Sequence, residues 1–131
     1  MNFAQKSTLK STPVTGSYAG GNIIHQMLVA TDLTGLNVGH VVVIEDGVIT
    51  QRWDGSPLAT VIDEGEGNIT MAPVTLGIVT TQQFDGDRSV STLRSGAYIR
   101  DRIVLSDDSS LSASAEFVLS LYHLFAEGSW V

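Results

Sequence analysis

The sequence predicts a mostly β fold of short antiparallel strands, with one C-terminal α-helix and a polar arm ahead of the first strand. Three observations predict it. Short apolar runs recur along the chain, each punctuated by glycine or aspartate, and a repeat of roughly ten residues per run belongs to sandwiches, barrels and bent ribbons rather than to βαβ units. An Asp46-Gly47 pair separates two of these runs. Near the C-terminus the apolar pattern changes to a helical period. A length of 131 residues, 43% of them hydrophobic, fits one domain with a core of its own.

Residues 1–22 read MNFAQKSTLKSTPVTGSYAGGN, and Lys6 and Lys10 are their only charged side chains. A segment so rich in Ser, Thr and Gly buries too little apolar surface to offset the entropy of ordering, so alone it is expected to be mobile. A frayed terminus is the plainer reading. The sharper one starts from Phe3, Leu9, Val14 and Tyr18, spaced through the segment, which a solvated leader does not need. With Lys6 and Lys10 they are the candidate contacts of an arm that orders by adding an extended strand to a partner's sheet edge. Twenty extended residues reach roughly 60 Å. With two lysines and no apolar stretch, this terminus is not expected to be a secretory leader. The folded domain is expected over residues 23–131.

Within it, His25–Thr31 is a weak strand candidate. His40–Glu45 and Val48–Trp53 flank Asp46-Gly47, residues that tolerate the positive φ of a type I′ turn, which makes this the strongest hairpin signal in the chain. Leu58–Asp63, Ile69–Thr70 and Val74–Thr80 follow, with Gly77 inside the last marking a bulge or a close backbone approach. Arg88–Leu93 and Ala97–Leu105 read as two further strands joined through Ser95-Gly96. Over residues 112–127, Glu116, Ser120, His123 and Glu127 fall on one stripe of a helix and apolar residues fill the rest. Asp107-Asp108-Ser109-Ser110 supplies acceptors and negative charge near its start, and Gly128 is placed to stop it. So wide an apolar face calls for more cover than a small sheet gives, and a subunit interface would supply it.

The chemistry on offer is sparse. With no cysteine, disulfides, iron–sulfur clusters and thiol nucleophiles are excluded. His25, His40 and His123 lie far apart, in no metal-binding spacing, and no metal or cofactor is expected. The acidic clusters 63–68, Asp85-Gly86-Asp87 and Asp107-Asp108 read as turns. There is no G-x-S-x-G elbow and no phosphate-binding glycine loop. Seven basic against fourteen acidic side chains give −7, so no nucleic-acid footprint is expected, and no apolar run is long enough for a membrane span. The acidity is uneven: the arm carries +2 from its two lysines, and the rest carries five arginines against fourteen acids, or −9. Trp53 and Trp130 read first as core and second as contact hot spots.

The order of features resembles the head decoration proteins of lambda-like tailed phages. A strand pair leads to Trp53-Asp54-Gly55, then come Leu76-Gly77-Ile78-Val79, Leu93-Arg94-Ser95-Gly96-Ala97-Tyr98-Ile99-Arg100, an acidic and serine-rich turn, a helix, and a short terminal strand at Ser129–Val131. A low-complexity Ser/Thr/Pro/Gly tail before the first strand is a further point of likeness. The resemblance runs from about residue 40 to the C-terminus. It implies a β-clip type of fold, no catalysis, and a homotrimer on the outer surface of the virion capsid at local three-fold positions. It also implies that the arm adds a strand to the major capsid protein. Trp53, Arg94, Tyr98 and Trp130 then become possible trimer or capsid contacts. Two other readings stay open: a tail-associated or receptor-binding module of a virion, and a trimeric β-clip nucleotide hydrolase of the dUTPase type. Arg94-Ser95-Gly96 is similar to that enzyme's phosphate-contacting turn, but the C-terminus, Ala-Glu-Gly-Ser-Trp-Val, lacks the glycine-rich segment such enzymes close over the phosphates.

Overall fold

In the computed structural model, which describes residues 15–16, 21–56, 58, 61–63, 69–71 and 74–127, eight strands and one α-helix follow one another. They are β1 (Ile23–Val29), β2 (Val41–Glu45), β3 (Val48–Arg52), β4 (Val61–Asp63), β5 (Ile69–Met71), β6 (Val74–Val79), β7 (Ser89–Tyr98), a 3₁₀ turn (Arg100–Arg102), α1 (Ala113–Leu121) and β8 (Leu124–Ala126). The fold is mostly β with a single C-terminal helix, as expected.

Five of the strands close on themselves in the order β1-β3-β2-β6-β7, with β7 pairing back to β1. β8 extends the sheet beyond β7, and β4 and β5 pair with each other alone. Pairing is antiparallel except between β1 and β3 (Leu28 opposite Val48) and between β7 and β8 (Gly96 opposite Leu124). The purely antiparallel expectation is corrected at those two places.

The barrel follows from local chemistry. Asp46 and Gly47 take φ values of 52° and 83°, the left-handed pair a type I′ turn requires, and they set β2 against β3. In β2 the run Val41–Ile44 is buried on both faces. Val42 and Ile44 join Met27, Val29, Leu36, Ile49, Val79 and Val90 inside the barrel. Val41 and Val43 join Trp53, Leu76, Ile78, Leu93, Tyr98, Ile103, Leu105 and the inner side of α1 and β8 in a second, outer layer. A strand covered on both faces has no polar alternation to show. Gly77 is a close approach: a Cβ there would lie 2.6 Å from Thr92 Cγ2 and 3.0 Å from Ile44 Cδ1.

Two expected elements differ. Ser95-Gly96 does not turn. β7 runs through it to Tyr98, with Gly96 N–H donating to His123 O (2.9 Å), and the chain bends afterwards, at Arg100–Arg102. Arg100 and Arg102 therefore share no strand face, and Arg100 instead forms an ion pair with Glu116 of α1. The helix is also shorter than expected. Ser112 caps it, its Oγ accepting from Ala115 N–H at 3.1 Å. It ends with Tyr122 as its C-cap, where His123 takes the left-handed conformation (φ 66°), ahead of the expected stop at Gly128, which lies outside the described residues. The apolar residues 124–126 that seemed to widen its face are β8.

Candidate interaction surface

The polar arm meets the body sooner than expected. Thr15 pairs antiparallel with Tyr98, and Gly16 N–H donates to Ala97 O at 2.8 Å. Asn22 joins the two: its Oδ1 accepts from Ala97 N–H (3.0 Å) and its Nδ2 donates to Gly16 O (2.9 Å). Three residues of the expected arm, Thr15, Gly16 and Asn22, thus extend β7's pairing past the end of β1. Phe3, Lys6, Leu9, Lys10, Val14, Tyr18 and Trp130, the terminal strand 129–131 and Gly128 lie outside the described residues.

Of the remaining contact candidates, Trp53 and Tyr98 are corrected: both are core side chains, exposed by 1% and 0%, too deep to touch a partner. Trp53 organises a corner. Its Nε1–H donates to Ser56 O (2.8 Å), and its own carbonyl accepts from Ser106 N–H (2.9 Å). Asp54 Oδ1 takes both Ser56 Oγ and Ser56 N–H, which holds its carboxyl below the ordinary range. Asp107 makes the same arrangement with Ser109 and is lowered for the same reason. Arg52 ties the two turns, donating to Leu105 O (2.7 Å) and pairing with Asp108. The Trp-Asp-Gly motif is therefore a joint between β3 and the segment leading to α1. Nearby, His40 Nδ1 accepts from Asn37 N–H at 3.1 Å, and burial, with the charge of Arg52, pushes its pKa down.

The buried Tyr98 hydroxyl has no hydrogen-bond partner among the described residues, and burial, then the charge of Glu116, pushes its pKa up. Arg94 is different in kind. It is half-buried on β7; its Nη1 faces Met27 Sδ at 3.2 Å, and its buried Nε has no acceptor among the described residues. No carboxylate pairs with it among the described residues.

Among the described residues the large outward apolar side chains fall into three places. Ile23, Ile24 and Leu28 stand exposed on β1, Phe84 on the loop before β7, and Phe117 with Leu121 one turn apart on α1. Sequence reading had placed Phe117 and Leu121 on a covered face. Only Ala115, Val118 and Leu119 of α1 are buried, because β8 takes the place of the helix's second half. Phe84 carried a signal that went unread: a lone aromatic between Gln82-Gln83 and Asp85-Gly86 has no apolar neighbours in sequence to share a core with. Its loop is firmly set. The buried Gln83 side chain accepts from Leu36 N–H and donates to Leu33 O and Asp87 O, and Asp87 Oδ2 accepts from Phe84 N–H (2.8 Å).

Among the described residues no group of three or more His, Asp or Glu side chains could hold a metal, and no helix is long and apolar enough to cross a membrane. Compared with family models, with curated proteins and with solved structures, the chain matches none of them.

Proposed function

We propose that this chain is a structural binding protein that decorates the outside of an icosahedral phage shell. It sits as homotrimers at local three-fold positions and holds the expanded shell through the major capsid protein. The observation that carries the reading is the set of large apolar side chains held outward on regular elements: Ile24 and Leu28 on β1, Phe117 and Leu121 on α1. Apolar groups fixed in that way mark contact surfaces. The ordered likeness from Trp53-Asp54-Gly55 to the helix supports the same class, and so do the polar, cationic character of the segment ahead of Thr15 and the acidity of the body. The mechanism is thermodynamic. A trimer that binds only the expanded shell stabilises that state by mass action, and several contacts per trimer add avidity.

The test mixes the full chain, and a chain lacking residues 1–14, with undecorated expanded shells of the phage that encodes it. The cut leaves Thr15, Gly16 and Asn22 in place. The full chain is expected to co-sediment with the shells, and the shortened one to fold but bind at least about a hundredfold more weakly, the scale of a lost tethered contact. A full chain that stays in the supernatant, or one that labelled electron micrographs place on the tail, overturns the reading.

A further inference from the structure

His40 stands where three parts of the fold meet. It immediately precedes β2, its carbonyl accepts from Val79 N–H of β6 (2.9 Å), and it bridges in parallel to Val104 on the segment leading to α1. Its ring closes a turn. His40 N–H donates to Asn37 O, and Asn37 N–H donates to His40 Nδ1, both at 3.1 Å. An imidazole nitrogen accepts only through its lone pair, so the second of these bonds exists only while the ring is neutral. Asn37 belongs to the loop between β1 and β2, which sets the fully buried Leu36 among the inner side chains of the barrel. The other ties of that loop do not titrate: Leu36 N–H and Leu33 O meet the Gln83 amide, and Gly39 N–H meets Val79 O.

Two charged groups act on the ring, Arg52 at the end of β3 and Asp108 in the turn ahead of α1. They oppose one another, and the arginine has the larger effect. Their exposure accounts for this. The Asp108 side chain is 81% exposed and that of Arg52 only 22%, so water screens the acid more than the base. Arg52 Nε is also buried with no acceptor among the described residues. The other elements against His40, β6 at Val79 and the stretch at Val104, bring no titratable side chain at these contacts. A proton arriving at the ring thus meets no counter-charge of matching strength, and it competes for the lone pair that Asn37 N–H uses.

We propose that His40 is an acid-sensitive latch on the loop between β1 and β2: a proton taken up at Nδ1 expels Asn37 N–H, sets a second cation beside Arg52 and loosens the stretch that holds Leu36 in the barrel. The folded corner needs the neutral ring, so the folded chain binds this proton less readily than the unfolded one. Stability from this corner is complete above the ordinary histidine value of about 6.5. It falls as the pH drops below that value, by up to about tenfold in the unfolding equilibrium per pH unit for one proton. The latch is a property of the single chain and does not rest on the decoration reading.

Urea unfolding of the full chain between about pH 8 and 5, beside His40→Asn, tests it. The asparagine carbonyl accepts a hydrogen bond as Nδ1 does and does not titrate. Both chains share His25, His123 and every carboxylate, so the difference between their profiles isolates His40. Below about pH 6.5 the natural chain is expected to lose stability against the variant by roughly three- to tenfold per pH unit. Amide hydrogen exchange is expected to show Asn37 losing protection over the same range in the natural chain alone. Parallel profiles overturn the proposal, and so does a loss of stability that leaves Asn37 protected. Near-ultraviolet circular dichroism checks the fold of the variant. Should His40→Asn fail to fold, the natural chain carries the test: its His40 ring protons, followed by nuclear magnetic resonance, are expected to titrate below about 6.5 together with the loss of Asn37 protection. Titration at or above that value overturns the latch.

Discussion

Inside the barrel, Val42, Ile44, Ile49, Val79 and Val90 pack with Met27, Val29 and Leu36 into an apolar cluster, and the walls around them are backbone ladders that close on themselves. Outside it, Trp53, Tyr98, Leu76, Ile78 and Leu93 are covered by pieces from the last third of the chain: Ile103, Leu105, α1 and β8. The inner layer is enclosed by topology and the outer one by docking. The inner layer therefore tolerates little change of volume, because its walls are fixed by hydrogen bonds, whereas the outer layer depends on a few large side chains and on the polar atoms they bring with them.

Removing the largest of these gives the largest effect. Trp53→Ala is expected to destabilise the fold by about 3–5 kcal/mol, the range for deleting a fully buried large aromatic, and to loosen α1. Urea unfolding measures the first and far-ultraviolet circular dichroism the second. A loss comparable to that of a surface substitution would show that the outer layer is held without its joint. The inner layer is probed at Gly77. Gly77→Ala sets a methyl 2.6 Å from Thr92 Cγ2, an overpacking expected to destabilise by about 1–3 kcal/mol. Adding Thr92→Ser removes that methyl group and should restore part of the loss, as the double-mutant unfolding cycle would reveal. If Gly77→Ala is silent, the barrel wall yields more easily than its closure implies. The smallest effect has the opposite sign. Tyr98→Phe deletes a buried hydroxyl that has no partner among the described residues, so it is expected to leave stability unchanged or raise it by up to about 1 kcal/mol. A clear loss would mean that the hydroxyl is satisfied in solution.

This contrast also explains what could be read from the sequence. Asp46-Gly47 and the apolar run of β2 were legible because a turn and a twice-covered strand are local or nearly local facts. Gly77 was legible as a bulge or a close backbone approach, because glycine inside a strand marks one or the other, and the second is what the structure shows. The outer layer was harder. Leu124–Ala126 continues the helical pattern in sequence but pairs in parallel with Gly96–Tyr98, a long-range choice that no window of sequence contains. Ser95-Gly96 has turn composition and yet stays in the sheet for the same reason, since Ser95 pairs with Ile23 of β1 and the Gly96 N–H donates to His123 O just before β8. At the surface, the aromatic in a polar loop was readable at Phe84. The unmatched charge of Arg94 was not, because sequence cannot show which acids fail to reach it.

The closure of the barrel has a consequence for behaviour in crowds. Each of its five strands has both neighbours supplied by the same chain, so none presents a continuous row of free backbone donors and acceptors to another molecule. Exposed strand edges are the usual templates for uncontrolled stacking of identical chains. The five barrel strands can therefore stand beside many copies of the chain at high density without templating their stacking, and the strand edges left among the described residues are those of β8 and of the β4–β5 pair.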